Sequence, residues 1–392
     1  MIEFISITRI ITDYFWQYKF LSILHTMLPF ALIAYITIKR KNLKLKIIDV
    51  DILIAALLTA LFIAFALDAN QSSLVELLKF IAYIAIYFAA RLYNIKAINL
   101  KSIGVFSLIS LIILFVIEIT GRGYITWGHV STFTGGYFFK TDLAIACLIF
   151  IVFIFATLKS KLALSIGLIL SSYLIFKSNT RIALPLILII PAFIMLANYS
   201  KLGLISLRNL AFTIVVTSTG VALFAIIDFN SIGLLGFDFS DPFSAANTQG
   251  RSVIWAALLD AYSDAPLLNK IFGSGLTADT DATRLYSASL QLAGVRAHNS
   301  FLYLLLCIGI AGSILFYWLM YLFLKKAHPL LMQSSSSLKV IPIISCSFII
   351  MFFWLSLTTE VIIRPQLMIL LFFFSGLHVQ SYLASKHHES YI

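Results

Sequence analysis

The chain has 392 residues, 61% hydrophobic and 11% charged, with a mean hydropathy of +1.00. Soluble domains carry about 25% charged residues, so composition excludes a single water-soluble core. The net charge of +11 resides mostly in short loops between apolar runs, where topology signals belong, and this argues against nucleic acid as a partner.

The first segment, 2–15, carries Glu3, Arg9 and Asp13 and lacks the clean apolar core and small-residue site of a cleavable signal. It reads either as a short crossing or as a helix lying in the membrane interface. Apolar runs of bilayer-crossing length then follow at 17–38, 51–68, 74–90, 103–119, 141–158, 162–176, 182–198, 210–227, 299–324, 340–357 and 367–383. The pattern predicts an all-α polytopic integral membrane protein with about 11–12 transmembrane helices. Cys147, Cys307 and Cys346 fall inside these runs and read as small hydrophobic residues without metal-ligand spacing.

Basic residues set the orientation. Lys39, Arg40, Lys41, Lys44 and Lys46 mark one loop, and Arg91, Lys96 and Lys101 the next. Lys159 with Lys161, Lys201 with Arg208, and Lys325, Lys326 and Lys339 mark three more, and Lys386 lies in the C-terminal tail. Alternating spans bring all of them to one side, which the positive-inside rule makes cytoplasmic. Loops 69–73, 120–140, 177–181, 228–298 and 358–366 then face outward. Three regions are expected: an N-terminal bundle over 1–227, a large outer loop over 228–298, and C-terminal helices over 299–392. Within the loop, Ser252–Tyr262 reads as a short amphipathic helix with Trp255 and Leu259 on one face and Asp260 and Asp264 on another. Pro266 and Gly273-Ser274-Gly275 break the pattern that follows.

The candidate chemistry gathers on the outward side. Arg296 and His298 stand at the start of the run beginning at 299, where free helix N–H groups and the helix dipole favour an anion. A guanidinium adds a fork matched to phosphate oxygens, and an imidazole can accept a hydroxyl proton near neutral pH. Snorkelling of Arg296 and helix capping by His298 or Asn299 are the plainer alternatives. Arg181 follows Ser178-Asn179-Thr180 at another outward helix start, and Arg251 precedes the amphipathic helix. Arg122, Lys140, Lys177, Lys270, Arg284 and Arg364 rank below these, as does His129. Asp279-Thr280-Asp281 reads as a solvated turn. Glu118 and Glu360 are alternative bases or partners for an arginine; His25 and Glu76 read as pore groups or, the favoured expectation, as internally paired.

Several stretches together resemble the O-antigen ligase/polymerase superfamily of bacterial envelope glycosyltransferases. They are Asn179-Thr180-Arg181-Ile182-Ala183-Leu184, Gly250-Arg251-Ser252-Val253-Ile254-Trp255, Pro266, Phe272-Gly273-Ser274-Gly275-Leu276, Arg296-Ala297-His298-Asn299-Ser300-Phe301-Leu302 and Gly309-Ile310-Ala311-Gly312. They cover 178–315; the preceding residues match only in being polytopic. The resemblance implies a GT-C-like transferase of the bacterial inner membrane, with an active site facing the periplasm and no metal or other cofactor. The implied donor is an undecaprenyl-diphosphate-linked glycan. Arg181, Arg251 and Arg296 would bind its diphosphate, and His298 with Arg296 would be catalytic. Membrane lipids and a chain-length regulator are further partners of such an enzyme. A polymerase extending a lipid-linked glycan is favoured over a ligase acting on lipid A core, because no additional outer basic cluster awaits an anionic core. A flippase for the same lipid-linked sugars is the alternative from another class.

Overall fold

The computed structural model describes residues 2–15, 17–39, 46–93, 100–127, 130–199, 251–287, 294–332 and 336–389. The predicted span 210–227, together with His129 and Gly250, lies outside them. The described chain is almost entirely α-helical. Helices α1 (Ile2–Tyr14), α2 (Lys19–Lys39), α3 (Asp49–Leu67), α4 (Gln71–Arg91) and α5 (Lys101–Ile119) come first. The antiparallel hairpin β1 (Tyr124–Trp127) and β2 (Val130–Phe133) leads into α6 (Lys140–Thr157), α7 (Lys161–Lys177) and α8 (Leu186–Tyr199). Three short helices, α9 (Arg251–Asp264), α10 (Leu267–Phe272) and α11 (Ala278–Tyr286), precede α12 (Ser300–Met332), α13 (Ser336–Leu355) and α14 (Pro365–Glu389).

Seven stretches, within 49–67, 71–91, 101–119, 140–157, 181–198, 300–332 and 365–385, are long and apolar enough to cross a membrane. Hydrocarbon offers backbone groups no water, so such segments satisfy their own N–H and C=O groups as helices. Their packing uses the devices expected where lipid and core are equally apolar. Gly376 of α14 lies against the Tyr87 carbonyl of α4, a spacing that leaves no room for a methyl group. Buried polar links tie the last three helices together: His378 Nδ1 to Ser345 Oγ at 2.9 Å, His378 Nε2 to the Phe323 carbonyl at 3.0 Å, and Ser345 Oγ to Ser375 Oγ at 3.0 Å. Phe153, Phe348 and Phe374 meet edge-on or tilted between α6, α13 and α14.

Side-chain contacts define two ends of the bundle. At one, Arg91 Nη1 donates to Asp51 Oδ1 at 2.8 Å, Lys326 pairs with Asp49 at 3.0 Å, and Gly104 abuts Thr157 and Leu158. The expected basic side thus gathers the described ends of α3, α4, α5, α6 and α12. At the other end lie the hairpin, the Arg181–Ala183 turn, α9 to α11 and the 356–364 connection. Helix α1 runs between the two: Glu3 bonds Ser102 at the start of α5, and Tyr14 stacks edge-on with Tyr137 beyond its end. It is therefore aligned with α5 and not laid flat across one face, although 13 residues of helix reach only about 20 Å.

Helix α12 departs from the expected continuous span. Gly309 has φ 70° and ψ −177°, which breaks the helix. The turn Phe272-Gly273-Ser274 inserts at the break, where the Ser274 N–H donates to the Leu306 carbonyl at 2.9 Å. Because Asp49 meets Lys326 at one end of α3 and Asp68 meets Gly275 at the other, residues 310–326 run alongside α3. The half-helix 300–308 instead lies at the loop end, between Ser356 and Gly273. A methyl group on Gly309 would collide with the Ile271 carbonyl and the Gly273 nitrogen, in a backbone conformation that side chains resist. We expect Gly309→Ala to lower stability by at least about 1–3 kcal/mol, read as a reduced thermal midpoint in detergent.

Candidate functional site

The half-helix of α12 begins at a tightly tied N-terminus. Asn299 Oδ1 accepts the N–H groups of Phe301 and Leu302 at 2.8 and 3.0 Å, so Asn299 is the cap and His298 is not. Asn299 Nδ2 donates to the Leu357 carbonyl at 3.0 Å, the Ser300 N–H to the Ser356 carbonyl at 2.9 Å, and Ser300 Oγ to the Thr359 carbonyl at 3.0 Å. These bonds fasten the motif to the end of α13. They also leave His298 with φ 47°, left-handed backbone that a non-glycine residue adopts at a cost. The other described non-glycine residue with positive φ is Asn179, at 52°, two residues before Arg181. Of the stretches singled out for chemistry, those around Arg181 and His298 therefore each contain a left-handed backbone position.

Arg296 turns beneath His298 into a carboxylate pair. Its Nη2 lies 2.5 Å from Glu76 Oε1 of α4, and its Nη1 lies 3.1 Å from Asp279 Oδ1 of α11. Asp279 Oδ2 accepts the Ala297 N–H at 3.1 Å, and Glu76 also takes Lys79 Nζ at 2.9 Å. Both acids are buried. Burial opposes the Arg296 charge, but Asp279 and Glu76 hold its pKa above the ordinary value. Burial and the neighbouring Glu76 charge raise Asp279 to about 6 despite Arg296. Two acids share one guanidinium here. The pairing expected for Glu76 is present. Asp279 is in a helix and fully buried, not in a solvated turn, because Thr277 and Ala278 start α11 just before it.

His298 is half-exposed above this layer. Its backbone N–H donates to buried Glu360, whose Oε1 also lies 4.0 Å from His298 Nδ1. Burial, and then the charges of Arg251 and Arg364, lower the imidazole pKa to about 4. Burial and then Asp279 push Glu360 up to about 7, against the His298 N–H, Arg364 and Arg296. Arg251, the first residue of α9, is lowered by burial and by Arg181, and it makes no ion pair among the described residues. Lys140 at the head of α6 shares the field of Arg251 and Arg181. Arg364 is neutralised by Asp142 and lies over the Phe139 ring. The Arg181 turn is fixed by neighbours: Trp354 Nε1 donates to the Ile182 carbonyl at 2.7 Å, and Thr180 Oγ1 to the Lys140 carbonyl at 3.2 Å.

The four predicted site residues thus occupy one end of the bundle. Arg251 lies within electrostatic reach of both Arg181 and His298, while Arg296 is engaged by two carboxylates. Helix α9 buries Ile254, Ala257 and Leu258, with Leu259 exposed. Its packed face is therefore rotated from the predicted Trp255–Leu259 stripe, and its first residue lies at the site. Glu118 belongs elsewhere, accepting from Tyr124 at 2.7 Å and Tyr173 at 2.6 Å and pairing with Lys177 at 3.2 Å. Sequence reading underrated Asp279 and Arg364. For Asp279 the signal was a position in the first turn of a short helix, and for Arg364 it was the proline that follows it.

The arrangement can bind an anion at Arg251 and Arg181 beside an imidazole that is neutral at pH 7. Fold and cluster together define a polytopic helical membrane protein with a cationic, histidine-bearing site at one end. No family model matches the chain, and no curated protein matches it.

Proposed function

We propose that this protein is a membrane glycosyltransferase that polymerises lipid-linked glycan repeat units at the periplasmic face of the bacterial inner membrane. The donor is an undecaprenyl-diphosphate-linked glycan, the acceptor is a sugar hydroxyl on a second lipid-linked glycan, and the architecture is GT-C-like with a cytoplasmic C-terminus. The observation that carries the reading is the placement of Arg251 within electrostatic reach of both Arg181 and His298, at the end of the bundle opposite the basic loops. The resemblance in the 178–315 motifs supplies the substrate class.

The acceptor oxygen attacks the anomeric carbon, and its proton passes to His298. The bond from that carbon to the diphosphate oxygen breaks in line, inverting the configuration, and its electron pair stays on the diphosphate. Arg251 and Arg181 stabilise that growing negative charge. The same geometry couples donor binding to basicity. A bound diphosphate neutralises the arginine charge that depresses His298, so the imidazole becomes a stronger base when the donor is in place.

The test supplies radiolabelled lipid-linked repeat unit to the protein in proteoliposomes. Chain growth supports the proposal, transfer to lipid A core makes the enzyme a ligase with the same donor chemistry, and movement without new bonds makes it a flippase. For Arg251→Ala we expect the donor KM to rise roughly 10-fold or more, the loss of one charge-assisted contact, with Arg251→Lys recovering part of it. An unchanged donor KM would make Arg251 a surface charge.

A further inference from the structure

Glu360 has no part in the chemistry described above, yet it is the carboxylate closest to His298. It is buried, it takes the His298 backbone N–H, and its Oε1 stands 4.0 Å from Nδ1, within reach of a hydrogen bond after a small ring rotation. His298 holds this position with a left-handed backbone, φ 47°. We propose that Glu360 is the positioning residue for His298: it orients Nδ1–H toward itself, leaves Nε2 for the acceptor hydroxyl, and stabilises the imidazolium formed during transfer. This rests on the transferase reading above. The proton moves from the acceptor oxygen to Nε2, Glu360 takes none, and the imidazolium later releases its proton to water.

The groups facing this pair are Arg251 of α9, Asp279 of α11, Arg296 from the preceding loop, and Arg364 with its partner Asp142 of α6. Burial and then Asp279 oppose the ionised carboxylate, whereas the His298 N–H, Arg364 and Arg296 favour it. Glu360 therefore loses its proton near pH 7, and activity should rise through that range as the carboxylate becomes available to the imidazolium.

The experiment measures kcat, donor KM and the pH profile of Glu360→Gln and Glu360→Asp in proteoliposomes, using radiolabelled undecaprenyl-diphosphate repeat unit. His298→Ala is the reference. We expect Glu360→Gln to lower kcat roughly 100-fold, to leave donor KM within about threefold, and to lose the rise in activity near pH 7. Glu360→Asp, which withdraws the charge by one methylene, should fall between. A Gln variant with the parent's kcat and pH profile, or one changed only in KM, overturns the inference. So does failure of both variants to remain monodisperse, since the carboxylate would then be structural. If His298→Ala keeps full activity, the transferase reading itself fails; if His298→Ala is inactive and Glu360→Gln is not, only this inference does.

Discussion

Replacing His298 with alanine is expected to reduce glycan transfer by at least about 100-fold, the lower range for loss of a general base, while the protein remains folded. The imidazole is half-exposed and accepts no buried load, so its removal leaves no unsatisfied core group. The Glu360 contact to the His298 backbone N–H also survives the substitution. The position has φ 47°, a conformation in which asparagine is among the better-tolerated residues, so His298→Asn controls for backbone effects. Both variants should insert, purify as single species and bind donor, yet form no product. Parent-like transfer by either would remove the proton acceptor from the mechanism.

Arg296→Ala is expected to abolish transfer as well, and in addition to destabilise the fold by about 3 kcal/mol, the range for breaking a buried ion pair. Glu76 and Asp279 have 3% and 0% side-chain exposure, and without the guanidinium their charges face each other with only Lys79 as compensation. The loss should grow with pH. Asp279 already titrates near 6 in the folded protein, above the ordinary carboxylate value, so the native state binds its proton more tightly than the unfolded chain does. Its contribution is present at low pH and is lost as pH rises through that value. Deleting Arg296 extends the effect upward, so thermal midpoints of parent and variant should lie closest below pH 6 and furthest apart above it. Combining Arg296→Ala with Glu76→Gln and Asp279→Asn separates the roles. Restored stability without activity would place Arg296 at the substrate; restored stability with activity would make it a brace alone.

Much of the helical framework is legible in the sequence because hydrophobic run length is a direct consequence of bilayer solvation. The described spans agree with the predicted ones to within a few residues over α3 to α7. The Gly309 break is not legible in that way. A glycine in an apolar run is common, and what opens the helix is a turn more than thirty residues upstream whose Ser274 N–H replaces the lost bond. The site shows the same division. Residue type and position at helix ends marked Arg181, Arg251, Arg296 and His298 as candidates, and the fold brings them to one end of the bundle. Which charges are already neutralised was hidden, because Arg296 finds Glu76 across 220 positions and Arg364 finds Asp142 across 222. Pairings of that separation leave no local pattern.

The interlock between the Gly273 turn and Gly309 bears on biogenesis. The Leu306 carbonyl obtains its donor from a segment synthesised earlier and lying outside its own helix. The final form of α12 is therefore reached only once residues 267–275 dock against it. A lesion in that turn would accordingly be felt as a defect in membrane assembly, even with every charged residue of the site intact.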